Sequence, residues 1–158
     1  MQKTELLTDF TVITPSAEVQ TPRHGWRAKC LQRLIRLDLP VPRTVTLPAS
    51  TVRAIAAGQM LDCAAVLGHF GENPLISVRP SPENPDWGGP ATILNIGFNA
   101  ARHALLAESH GQKAADALYL RFLQGYALHV ARLDPDMFEG LEPGARGIAD
   151  ALRAYEME

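Results

Sequence analysis

Leu75–Phe98 reads LISVRPSPENPDWGGPATILNIGF, two short apolar runs separated by a segment of chain breakers. The first run, Leu75-Ile76-Ser77-Val78, has strand character and delivers a single arginine, Arg79, to its end. A loop rich in Pro, Asn, Asp and Gly follows, and Ile93-Leu94-Asn95-Ile96 then reads as a second strand. Strand, cationic tip, glycine-bearing loop and strand form a compact device for holding an anionic group. The strands are rigid, the guanidinium offers a planar fork of donors, and Gly88-Gly89 lets backbone N–H groups approach a phosphate closely.

Outward from this stretch the chain divides by periodicity. Towards the N-terminus, Phe10-Thr11-Val12-Ile13 is a short β-branched run that predicts a strand, and residues 15–23 read as loop. From Gly25 the pattern turns helical, with Ala28, Leu31, Leu34, Ile35 and Leu37 near helical spacing, until Pro40 and Pro42 end it. Thr44-Val45-Thr46-Leu47 predicts a second strand. A short helix is expected over residues 49–59, with Ser50 as its cap and Gly58 near its end, and another turn or two before Phe70. Beyond Phe98 the composition shifts to helix formers. Asn99 caps a helix through Leu106 that His110-Gly111 breaks, and residues 113–133 carry an apolar face wide enough to pack on two sides. Asp134-Pro135 reads as a cap and first-turn proline, and residues 148–155 as a last amphipathic helix. The expected class is α+β within a single domain, a strand-containing part over about residues 1–98 and an all-helical part over about 99–158.

Composition excludes several roles. A chain of 158 residues has the length of one domain and can remove roughly two-thirds of its unfolded surface from water. Apolar content of 46% with 20% charged residues is ordinary for a globular protein and disfavours a disordered chain. The net charge of −2 supplies no basic field for nucleic acid. No apolar run reaches the length of a membrane span, and MQKTELLTDF carries acids where a secretory leader needs a basic and then apolar start. Cys30 and Cys63 match no metal spacing and read as packed thiols. These features point to a cytoplasmic protein without nucleic-acid or membrane partners.

The order of motifs resembles the N-terminal nucleotide-binding domain of pyruvate, phosphate dikinase. There an S-V-R strand precedes a Gly-containing loop and a T-[IV]-L-N-[LI]-G strand, as Ser77-Val78-Arg79 and Thr92-Ile93-Leu94-Asn95-Ile96-Gly97 do here. Gly25-Trp26-Arg27-Ala28-Lys29-Cys30-Leu31 and Leu39-Pro40-Val41-Pro42 are similar to the family's G-G-K-G-A-N-L helix and L-P-V-P connection. Residues 120–126 (LRFLQGY) and 133–139 (LDPDMFE) are similar to its Y-R-R-F-[IL]-Q-x-Y and G-[VI]-D-x-x-x-F-E segments. The resemblance covers about residues 10–140 and implies a partial ATP-grasp-like mixed sheet with ATP as ligand, with Mg. The family's acidic metal ligands, phosphohistidine domain and pyruvate-binding barrel have no counterpart in this sequence, so the resemblance implies a truncated, stand-alone, kinase-like fragment.

Carried over by position, Arg79 is the arginine that contacts ATP phosphates, and its other reading is an ion pair with Glu83 or Asp86 of its own loop. Arg27 replaces the lysine of G-G-K-G, keeping the charge but not the ammonium geometry; its other reading is a solvated helix-face arginine. Gly88 aligns with the glycine of the family's loop, Gly89 follows it, and Thr92 and Asn95 align with T and N of the second strand. The departures are on the phosphate side. Pro80-Ser81 stand where the family has Ser-Gly, and Ala91 where it has aspartate. Trp87 either stacks on a base or, as indoles in loops more often do, caps the local core.

Other constellations are sparse. The five histidines lack the phosphohistidine context, and His103 and His110 are two turns apart, too far to share an ion. Phe122, Tyr126 and Phe138 read as core, and Asp134, Asp136 and Glu139 as a cap with neighbouring acids. No catalytic or metal residue is assigned. The expected function is weak binding of ATP or a related phosphate compound through Arg79, Arg27, Gly88, Gly89 and Thr92, without phosphoryl transfer by this chain alone. The alternatives are a non-catalytic interaction or oligomerisation module, and one half of a split phosphotransferase. A homo-oligomer or a partner protein is expected to cover exposed apolar surface.

Overall fold

The computed structural model describes residues 6–87 and 89–157. The chain is α+β, with six helices, short 3-10 and π turns, and two antiparallel two-stranded ribbons among these residues. Its strands are thus not joined in one mixed sheet. The chain resolves into two compact units, Met1–Pro74 with Pro80–Pro90, and Leu75–Arg79 with Ala91–Glu158. The strand pair of the opening stretch therefore groups with the helices that follow it, while its loop groups with the first 74 residues.

In the first unit β1 (Thr11–Val12) pairs with β2 (Val45–Thr46), and Leu7 makes a lone parallel bridge to Leu61. The helix α1 (Thr21–Arg36) starts a turn earlier than its apolar pattern, because Pro22 suits a first helical turn whose N–H is unpaired anyway. It is interrupted at Gly25, whose φ of 80° and ψ of 169° lie far from helical values. The core of this unit is small: Ile13, Val19 and Ala28, flanked by Ala17, Leu31 and Ile35. A buried amide compensates for the small core. Gln32, fully buried, donates to the carbonyls of Thr14 at 3.0 Å and Ala17 at 2.6 Å, while Lys29 Nζ reaches Val19 O at 2.8 Å and Gln32 Oε1 at 3.2 Å. The loop before α1 is thereby fastened to the helix face.

The helix α2 (Ala49–Ala56) is preceded by Pro48 at its cap position, so Ser50 lies inside the first turn and caps nothing. Asp62 caps α3 (Cys63–Leu67), accepting from Ala65 N at 2.9 Å, and a 3-10 turn over Gly68–Phe70 follows. Cys30 is half-buried, but Cys63 is exposed, so only one of the two thiols is packed.

In the second unit β3 (Ile76–Val78) pairs with β4 (Ile93–Ile96). The register Ile76–Ile96 and Val78–Ile93 gives β4 one residue more than β3 over the same span, a bulge. Asn95 absorbs it with φ of 57°, which asparagine tolerates better than β-branched residues, and Gly97 follows at φ 98°. Asn95 O accepts from Phe98 N at 3.0 Å, closing a turn that delivers Phe98 into the core. Asn95 is therefore structural.

Asn99 caps α4 (Ala100–His110), accepting from Arg102 N at 3.0 Å. The helix α5 (Gln112–Tyr126) buries Ala115, Asp116, Tyr119, Leu120 and Leu123 on one face and widens into a π turn at Ala127–Ala131. The helix α6 (Ala145–Met157) packs on it through Ile148, Ala151 and Ala154. Alanines at the contact let helices approach closely, and the larger Leu120, Leu123 and Phe138 fill the space around them. Phe138 is buried and Phe122 partly so, but Tyr126 is exposed on the rim, against its reading as core. Tyr155 donates to Leu123 O at 2.6 Å; burial, then the neighbouring Tyr126, pushes its phenol up to about 12. Among the described residues no helix is long and apolar enough to cross a membrane.

Candidate functional site

The break at Gly25 has a structural consequence for its neighbours. When a helix restarts, its first N–H groups have no partner within the helix. Here a segment more than fifty residues further along the chain satisfies them. Trp26 N donates to Pro82 O at 2.7 Å, and Ala28 N donates to Ser81 Oγ at 3.1 Å. The same hydroxyl donates to His24 O at 2.7 Å, and Arg27 Nε donates to Pro80 O at 3.0 Å. Residues 24–28 and 80–82 are thus clasped by four hydrogen bonds, with Ser81 serving as a cap supplied from a distance. Gly25 lies directly against the Ser81 backbone, where a side chain would have no room.

The clasp joins two of the motifs that the sequence singles out. It also changes what they offer. Trp26 N–H and Ala28 N–H would be natural phosphate donors at a helix start, and both are taken by the protein's own loop. Arg27 is exposed and, with only its Nε engaged among the described residues, keeps its terminal amino groups for solvent or ligand.

His24 anchors the clasp from beneath. It is 2% exposed, receives Gln20 N–H on Nδ1 at 3.2 Å, and so carries its proton on Nε2, 3.4 Å from Thr11 Oγ1. Burial lowers its pKa below the usual 6.5; the Arg23 charge acts in the same direction, while Asp9 and Glu18 pull the other way. The sign follows from linkage. Near pH 7.5 neither folded nor unfolded His24 binds a proton; below about 6.5 the unfolded chain binds one more readily, so stability falls as pH falls. Urea unfolding at pH 7.5 and 5.5 should show this loss in the wild type, and a smaller loss in His24→Gln. An equal loss in both would remove His24 as its source.

The remaining sequence-derived positions fall as follows. Gly88 lies outside the described residues. Gly89 is half-buried against the Trp87 ring, which leaves no space for a side chain in that conformation. Trp87 itself is 57% exposed and does not cap a core. In the second unit, Arg79 is exposed just after β3 and Thr92 is half-buried just before β4. The Val78–Ile93 pairing sets these two opposite one another at the open end of the ribbon.

Three polar features have no counterpart in the sequence reading: the Ser81 cap, the Gln32 clamp and a bond between α4 and α5. In the last, His103 Nε2 lies 2.6 Å from Asp116 Oδ1, which also receives Gln112 Nε2 at 2.7 Å. Asp116 is 7% exposed, and the Tyr119 ring lies 5.3 Å from the imidazole. Gln112 and Asp116 share a helix face at four-residue spacing, but nothing in sequence pairs them with His103. Asp134 Oδ1 accepts from Asp136 N at 3.0 Å, the expected cap. Among the described residues no group of three or more His, Cys, Asp or Glu side chains could hold a metal ion. No protein-family model and no curated protein matches the chain.

Proposed function

We propose that the chain binds a nucleotide or related phosphate compound weakly, ATP with Mg being the first ligand to test. Arg27, Arg79, Gly88, Gly89 and Thr92 are the positions that the dikinase resemblance assigns to the ligand, the two arginines being its cationic contacts. The resemblance to the dikinase nucleotide-binding domain motivates this reading. The single observation that supports it is the clasp, because it joins the Arg27 motif to the segment that begins immediately after Arg79. Arg79 itself enters through its sequence position. Self-satisfied donors at Trp26 and Ala28 argue for weak binding, and phosphoryl transfer is not proposed, since it needs metal-held phosphates and a positioned acceptor. A cytoplasmic location belongs to the same reading and accords with two free thiols.

Thermal unfolding with millimolar Mg-ATP, ADP and AMP tests the proposal. A ligand at ten times its dissociation constant should add about 1.4 kcal/mol. The shift should shrink in both Arg27→Ala and Arg79→Ala. No shift with any nucleotide, or equal shifts in wild type and variants, would remove the phosphate reading.

The second reading, an interaction module, is favoured by apolar side chains left in solvent just past α1, where Leu37 is 69% and Leu39 49% exposed. A concentration-dependent dimer by light scattering, lost in a Leu37→Lys, Leu39→Lys double variant, would support it. A split phosphotransferase, its second half a separate chain, follows from the resemblance alone.

A further inference from the structure

Within the second unit, α4 carries an oddity at its start. The first turn of a helix favours acids, because the unpaired N–H groups there act as a partial positive charge. The first turn of α4 has no acid, and its third residue is Arg102. Asn99 caps the Arg102 N–H, but no carboxylate meets the Arg102 guanidinium among the described residues. A cation placed on the positive end of a helix costs stability unless an anion joins it.

Beside this cation lies an open cavity of about 210 Å³, lined by Leu75, Phe98, Arg102, Leu105, Leu106 and Ser109. Its walls are apolar on four of these six residues, and Arg102 is the one charged member. Leu75 is 45% and Leu105 64% exposed, large aliphatic side chains left at the rim of a concave surface. Ser109 Oγ is turned back onto its own helix, donating towards Leu105 O at 2.9 Å, so it does not compete for the anion.

We propose that this cavity binds a small amphipathic monocarboxylate, with an apolar body of about five carbons against Leu75, Phe98, Leu105 and Leu106 and the carboxylate on Arg102. The guanidinium fork matches a carboxylate bidentately. The apolar walls select for the body, since a bare anion gains nothing from them. This site is built on residues other than those of the proposed phosphate site.

The test uses hexanoate, with hexanol and acetate as probes for the tail and the charge alone. At 10 mM hexanoate the full chain should gain about 3 °C in Tm, and hexanol and acetate should each give less than a third of that. Affinity, read from perturbed amide shifts in α4, should fall about tenfold or more in Arg102→Gln, which removes the charge-assisted bonds. It should also be lost in Leu105→Glu, which places a like charge on the rim at an exposed position that the fold tolerates. Arg27→Ala should retain the full hexanoate response, which separates this site from the phosphate reading. Absence of a hexanoate shift, an equal response to hexanol, or unchanged affinity in Arg102→Gln would overturn the proposal. A dimer that Leu105→Glu dissociates, with hexanoate inert, would give the groove to a second copy and overturn it too.

Discussion

A Gly25→Ala variant is expected to lose about 3 kcal/mol or more of stability. Two independent penalties combine. At φ 80° and ψ 169° the backbone sits in a region that essentially only glycine occupies, and holding another residue there costs about 1–3 kcal/mol. A Cβ at this position would also run into the Ser81 carbonyl, which is backbone and can yield only if the loop moves. Moving the loop breaks the bonds to His24, Trp26, Arg27 and Ala28, each worth about 1 kcal/mol net. Gly68→Ala is the control: its φ of −55° and ψ of −21° are helical and nothing lies within 4 Å of the added carbon, so it should be neutral or slightly stabilising. Tryptophan fluorescence in urea reads the difference, since Trp26 and Trp87 both belong to the first unit. A Gly25→Ala midpoint matching that of Gly68→Ala would show that neither penalty operates.

The same region shows what sequence can and cannot carry. Local signals were legible. Asn99, Asp134-Pro135 and the apolar periods of α1, α5 and α6 announce themselves within a few residues, because caps and amphipathic faces are short-range physics. The strand pair was equally plain, but its bulge was not, since an extra residue in β4 is defined only against its partner. Ser50 misled because a cap needs the right backbone as well as the right side chain, and Pro48 holds that place. Gly25 was legible as a helix start and illegible as a break filled by Ser81, a contact between segments more than fifty residues apart. His103 with Asp116 failed for the same reason: thirteen residues and a turn separate them. Trp87 reads in sequence as a core cap, yet a unit whose core cluster is Ile13, Val19 and Ala28 offers no deep surface for an indole to cover.

Phe98→Ala is expected to cost the helical unit about 3–5 kcal/mol, the range for deleting a buried aromatic ring. Phe98 is 6% exposed and stacks on Tyr119 at 5.2 Å and on Phe122 at 6.4 Å, so its removal strips contacts from α5 as well as from the turn it closes. The position resists relaxation. Asn95 at φ 57° and Gly97 at φ 98° fix the turn, and Asn99 fixes the helix start one residue later. The backbone can therefore not slide inward to fill the void, which places the loss in the upper part of the range. Phe98→Leu, which keeps most of the volume, should cost less than about 1.5 kcal/mol. Phe122→Ala should fall between them, since Phe122 is only partly buried. Helical circular dichroism in urea measures this, to which α4, α5 and α6 of the second unit contribute, with tryptophan fluorescence as the separate readout of the first unit. With a slope of about 2 kcal/mol/M, the Phe98→Ala midpoint should drop by roughly 1.5–2.5 M. A drop no larger than that of Phe98→Leu would mean the ring is not the keystone between ribbon and helices, and that the Asn95–Gly97 turn holds them without it.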